Sequence, residues 1–151
     1  MIRIHYRCID VLRLILGLVF IASSLLKVFS IRTFQIEVGE YIDLYMPWWM
    51  HGWDIVYAVG VCLVELVVGL MAFSRKYAGC MSVLSVLLLS FFVWLTGVNL
   101  FFPTIFGSVE SCGCFGELVH FTPLTSFIKS VVLWIFALLL LLQTYRFYPT
   151  T

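Results

Sequence analysis

Residues 77–102 read YAGCMSVLSVLLLSFFVWLTGVNLFF. A run this long and this apolar is able to cross a hydrocarbon layer about 30 Å thick as a single helix. Three more runs repeat the pattern, at residues 11–29, 53–73 and 123–145. Four spans of roughly 20 residues each, joined by short loops, use up the chain. The expectation is one transmembrane domain over residues 1–151, all-α, folded as an integral membrane four-helix bundle. Composition agrees, because 63% of the residues are hydrophobic and only 11% are charged, against about 25% charged in a soluble domain. Too few polar groups exist to cover the outside, so the lipid bilayer is the chain's solvent. The first run reads as a span and not as a cleaved signal, since its apolar stretch is too long and residues 27–32 offer no small-residue cleavage site. The net charge of +1 comes from nine Lys and Arg spread over helix ends. No basic stripe forms, which excludes nucleic-acid binding.

The basic residues also predict orientation. Arg3, Arg7 and Arg13 flank the first span, Arg75 and Lys76 lie between the second and third, and Arg146 follows the fourth. All belong to one side, which the positive-inside rule makes cytoplasmic. Both termini are therefore expected inside, in a multi-pass protein of a bacterial inner membrane. The loops at 31–52 and 103–121 face outward, carrying Glu37, Glu40, Asp43, Glu110 and Glu117 with Arg32 as the clear basic residue.

In the first outer loop Phe34, Val38, Ile42 and Tyr45 recur at helical spacing while Glu37, Glu40 and Asp43 occupy a different stripe. That pattern predicts a short amphipathic helix along the membrane surface, either an interfacial anchor or a lid or docking surface over the cysteine site of the second outer loop. Trp48, Trp49 and Trp53 come next, where the chain re-enters lipid, as an aromatic belt at the headgroups. In the second outer loop Pro103 stops the third helix, and Gly107, Gly113 and Gly116 supply turns. Thr122-Pro123 reads as an N-cap followed by proline at the first helical position.

Of five cysteines, Cys112 and Cys114 fall on the outer side, where disulfides form and persist. A bridge between residues two apart closes a very small ring far from relaxed geometry, and the intervening Gly113 is the residue best able to take the backbone angles required. Such strain makes a bond labile and easily reduced. As a structural staple it would constrain almost nothing, because loop-closure stabilisation grows with loop length. Zinc wants four ligands, and the neighbourhood offers two thiols with His120 and His51, so no metal is expected. A structural bridge, a metal site and two unpaired thiols stay as rival readings. Cys8 and Cys80 lie toward the inner side as bystanders, and Cys62 reads as a small buried hydrophobe that shares a helix face with Glu65.

Three motifs carry a resemblance. They are Ser23-Ser24-x-x-Lys27 in the first span, Glu65-Leu66-x-x-Gly69 in the second, and Ser111-Cys112-Gly113-Cys114-Phe115-Gly116 before the fourth. With them the chain resembles the MauE branch of the MauE/DoxX-type membrane proteins, named from methylamine utilisation. The resemblance implies a four-span bundle associated with a periplasmic thioredoxin-like partner and linked to disulfide formation or maturation of exported proteins. It also implies Cys112 and Cys114 as a redox-active disulfide.

Ionisable groups inside the spans are the remaining signals. Glu65 lies roughly twelve residues into the second span, where an ionisable group costs about 2 to 4 kcal/mol. It is expected to be paired, protonated or functional, as a proton carrier or a ligand contact. Lys27 sits about one helical turn below the outer surface, either snorkelling outward as an anchor or stabilising a thiolate or a reduced quinone. A direct contact between Lys27 and Glu65 would need the two helices to differ in depth from this reading. Asn99, near the outer end of the third span, is a helix-packing residue or a ligand contact. His120 and His51 are interfacial histidines that could accept a thiol proton near neutral pH.

Together these readings predict a membrane thiol oxidase. Thiols of the partner would reduce the Cys112–Cys114 disulfide through a mixed disulfide, and two electrons would pass to a quinone held among the helices near Glu65, Lys27 and Asn99. Quinone is chosen because the bilayer supplies no other common two-electron acceptor and no haem or iron–sulfur cysteine pattern is present. The rivals are a reductive conduit across the membrane and a non-enzymatic anchor or assembly factor for an exported redox protein.

Overall fold

The computed structural model of the chain describes residues 2–101 and 123–147. Among these residues there is no strand. Five helices stand in order: α1 (Ile2–Phe29), α2 (Ile31–Tyr45), α3 (Asp54–Met71), α4 (Ala78–Phe101) and α5 (Pro123–Phe147), with 3-10 turns at Trp48–Met50 and Arg75–Tyr77. The stretches Arg7–Phe29, Asp54–Met71, Arg75–Val98 and Leu124–Arg146 are long and apolar enough to cross a membrane. The architecture is the all-α membrane bundle that the four apolar runs predict, with α2 as the short helix between the first two spans.

Side-chain distribution fits a lipid solvent. Leu18, Leu63, Val67, Leu87, Ile128 and Leu142 point outward, whereas Ser24, Ser82, Ser85, Thr96, Ser126 and Ser130 are buried. Lipid tails reward no apolar burial, so bundle interiors use small and weakly polar residues that pack closely and hydrogen-bond across helices. Helices α1 and α3 come together at two glycines. A Cβ on Gly69 would lie 2.6 Å from Ile21 Cγ1 and 2.9 Å from the Gly17 carbonyl oxygen. Helices α4 and α5 pack along much of their length, with the Trp134 indole donating to Ser90 Oγ at 2.8 Å and the Ser82 and Thr144 hydroxyls 3.3 Å apart. Leu16, Phe20, Val68, Met81, Leu89 and Leu140 fill the centre.

The two ends of the bundle differ. At the end carrying the N-terminus, Arg75 Nη2 donates to Asp10 Oδ2 at 2.5 Å, and Asp10 also pairs with buried Arg13 at 3.2 Å. This pins the turn before α4 onto α1. At the other end the hydrogen-bond ladder of α1 runs nearly unbroken into α2, because the Ser30 amide donates to Leu26 and the Phe34 amide to Ser30. Ser30 alone separates the two helices. Helix α2 then lies against α3, where the Gln35 amide donates to Asp54 Oδ2 at 2.7 Å. Trp48, Trp49 and Trp53 are exposed beyond it, and Gly52 takes a positive φ of 87° in the turn before α3.

One detail of α2 departs from its sequence pattern. The pattern puts Glu37 on the polar stripe with Glu40 and Asp43, yet it is buried with Phe34, Tyr41 and Ile42 while the other two acids are exposed. The reason is helical geometry, since positions 34, 37 and 41 stand three and four residues apart and so share one face.

Candidate functional site

The interior of the bundle is organised around one carboxylate. Helix α3 turns Ala58, Cys62, Glu65, Val68 and Gly69 inward, at the spacing of a single face. Helix α1 presents Phe20, Ser23, Ser24 and Lys27 in the same way. Ser24 Oγ donates to the Cys62 carbonyl at 2.8 Å, bracing the two helices. One turn further along, Lys27 Nζ donates to Glu65 Oε1. Both side chains are out of reach of any solvent, at 0% and 1% exposure. The ammonium also faces two aromatic rings, 5.2 Å from the centroid of Phe34 on α2 and 4.7 Å from that of Phe92 on α4, within the range of cation–π attraction. Ser23 and Lys129 of α5 act on the same carboxylate. Glu65, Ser23, Lys129 and Ser130 border a small cavity of about 20 Å³, room for one water.

Lys27 is therefore not a snorkelling residue near the surface, and its contact with Glu65 corrects the depth expected from sequence. Helix α1 does not end in water. The chain bends at Ser30, and the first turn of α2 places Phe34 beside the ammonium, so Lys27 has no outward route and satisfies its charge inward.

A larger cavity of about 290 Å³ lies beneath α2. Its walls are Phe34, Glu37, Val38, Tyr41 and Ile42 of α2, Met46 and Met50 beyond it, Tyr57 and Val61 of α3, and Phe91, Phe92, Trp94 and Leu95 of α4. Phe34 and Phe92 thus belong both to this cavity and to the surroundings of Lys27. Carbon and ring surface make up nearly all of the wall.

The other expected site residues fall in several places. His51 is exposed at the far end of α2's connection, with Nδ1 3.4 Å from Asp43 Oδ1. Asn99 is in the last turn of α4, its side chain outside the described residues. Cys112, Cys114 and His120, with Glu110, Glu117 and the turn glycines, lie in segment 102–122, also outside the described residues. The fold does locate the two anchors of that segment. The last turn of α4 and the first of α5 meet at the α2 end of the bundle, where the rings of Phe101 and Phe127 stand edge to face at 5.7 Å. Cys62 is buried, and Cys8 and Cys80 are exposed. Among the described residues no three His, Cys, Asp or Glu side chains gather as a metal site.

Two participants escape a reading of the sequence. Lys129 is embedded in the fourth apolar run, and its signal is the pair Ser126 and Ser130 on the same turn, which marks the inward face of α5. Phe92 carries no signal of its own, as one of many aromatic residues in α4.

Comparison with known proteins gives one extended match. The family model described as methylamine utilisation protein MauE matches residues 6–143. Among curated proteins, Protein TlpB of Flavobacterium psychrophilum is 26% identical over 130 residues, covering 80% of this chain and 33% of that protein. The chain thus spans about a third of the length of that relative. No solved structure matches.

Proposed function

The chain belongs to the MauE family, whose model covers residues 6–143, and from that premise we propose that it is a membrane thiol–disulfide oxidoreductase with Cys112 and Cys114 as its redox pair. The observation that supports the reading is where the two helices flanking residues 102–122 end, with the rings of Phe101 and Phe127 in contact. Both helix ends stand at the α2 end of the bundle, the end that also holds the cavity and, beneath it, the Lys27–Glu65 pair.

The chemistry balances with one acceptor. A thiolate of an exported, thioredoxin-like partner attacks the Cys112–Cys114 disulfide and forms a mixed disulfide. The partner's second thiol breaks it, leaving the partner oxidised and Cys112 and Cys114 as thiols. Re-forming the bridge releases two electrons and two protons, which convert a membrane quinone to its quinol. Lys27, Glu65 and Asn99 are assigned to the surroundings of the quinone, and His120 and His51 to proton transfer. The charge distribution supports an inner-membrane orientation with both termini in the cytoplasm. Cys112 and Cys114 then face the compartment where disulfides persist.

The test uses purified protein in vesicles containing decylubiquinone, with reduced thioredoxin added and quinone absorbance followed. Reduction of the quinone by the unaltered protein, lost in both Cys112→Ser and Cys114→Ser, is the expected result. Equal rates in the unaltered and serine proteins would remove the proposal.

A further inference from the structure

Resting on that reading, we propose that the cavity of about 290 Å³ beneath α2 is the binding site of the quinone ring, with Phe34 and Phe92 as the wall between the ring and the Lys27 ammonium. Three observations converge on this occupant. The first is access. Tyr57, Phe91 and Trp94 line the cavity and are also part of the outer surface, at 37%, 42% and 50% exposure, so the mouth opens through the lipid-facing side of α3 and α4. Whatever enters is dissolved in the membrane.

The second is the wall. Its volume is at the lower end of the ~300–1,000 Å³ of small-molecule sites, and aromatic side chains from α2, α3 and α4 surround it. Such a wall takes a planar ring by stacking and excludes a sugar, a phosphate or a nucleotide, which would lose their hydration without replacement. Tyr41, buried beside Glu37 on the cavity face of α2, carries a hydroxyl that can donate to a ring oxygen.

The third is charge. Lys27 lies against Phe34 and Phe92, two rings of the wall, whereas Glu65 borders the smaller cavity with Ser23 and Lys129. The ammonium is thus the member of the buried pair recorded against the cavity's wall. Negative charge carried by the ring between the arrival of its electrons and of its protons is stabilised by that field in a medium of low dielectric, whereas a lipid acyl chain gains nothing from it.

The experiment is photolabelling of the unaltered protein in phosphatidylcholine vesicles with an azido-ubiquinone, followed by mass spectrometry. Adducts are expected on peptides covering residues 34–46 and 91–95, and decylubiquinone should displace them. Val61→Trp, which fills the cavity, should lose most of the labelling. Tyr41→Phe should require about fivefold more decylubiquinone for displacement, or less, the scale of one hydrogen bond. Adducts confined to the outer faces of α1 or α5 would overturn the site. So would a diazirine-bearing phospholipid that labels the same peptides and is not displaced by decylubiquinone. The labelling map of the unaltered protein decides even where Val61→Trp fails to fold. The two readings separate cleanly: cavity adducts without thiol-dependent quinone reduction support the site and end the oxidase reading, while Cys112-dependent reduction with adducts elsewhere does the reverse.

Discussion

Lys27 of α1 and Glu65 of α3 meet in the middle of the bundle, 38 residues apart in sequence and at 0% and 1% exposure. A second lysine, Lys129 of α5, acts on the same carboxylate. Three helices thus bring two amines and one carboxylate into a region that water does not reach, and this imbalance governs the first prediction.

Removing one partner of a buried pair costs about 3–5 kcal/mol. Here Glu65→Gln should cost more than Lys27→Met, because the first leaves two ammonium groups facing each other and the second leaves Glu65 with Lys129. The double variant should recover part of the loss. Thermal unfolding in detergent ranks the three, and a Lys27→Met protein less stable than Glu65→Gln would refute the charge assignment.

Glycines of α3 should respond with opposite signs. Gly69→Leu forces a side chain against Ile21 and the Gly17 carbonyl, and overpacking of this kind costs about 1–3 kcal/mol. A Cβ on Gly60 would meet nothing within 4 Å, so Gly60→Ala should stabilise by about 0.5–1 kcal/mol through helix propensity. Equal effects on the unfolding midpoint would argue against the close approach of α1 and α3.

The ion pairs at the terminal end are unequal. Arg75 is 71% exposed, and loss of an exposed pair is worth about 0–1 kcal/mol. Asp10→Ala strips buried Arg13 of its ion-pair partner 3.2 Å away as well, and losing one partner of a buried pair costs about 3–5 kcal/mol. Unfolding of Arg75→Gln beside Asp10→Ala measures the difference, and equal losses would show that Arg13 draws no stability from Asp10.

Orientation has its own test in thiol accessibility. With an impermeant maleimide applied to intact spheroplasts after mild reduction, Cys112 and Cys114 should react. Cys8, exposed at the opposite end, should react only after lysis, and buried Cys62 only after denaturation. Modification of Cys8 in unbroken spheroplasts would invert the proposed topology.

How much of this is legible from residues alone depends on the range of the interaction. The spans are legible because hydropathy and length are properties of contiguous sequence, and the 3.6-residue period of Phe34, Val38 and Ile42 announces α2. The Cys112-Gly113-Cys114 motif is local too. The Lys27–Glu65 contact is not legible, since the depth of α1 relative to α3 is set by how the chain leaves α1, and the bend at Ser30 with Phe34 laid over the ammonium is a tertiary event. Glu37 is misplaced by the sequence pattern because its charge outweighs its register. Lys129 is easily overlooked because one amine among many leucines reads as a helix-end residue until a carboxylate on another helix is seen to face it.

Ser30 has a mechanical meaning. With one residue and a nearly continuous ladder joining α1 to α2, the short helix has no slack with which to swing aside like a hinged door. Any displacement of it must unwind the last turn of α1, and that turn carries Lys27. A shift of α2 and a loosening of the lysine's grip on its carboxylate are therefore one and the same movement.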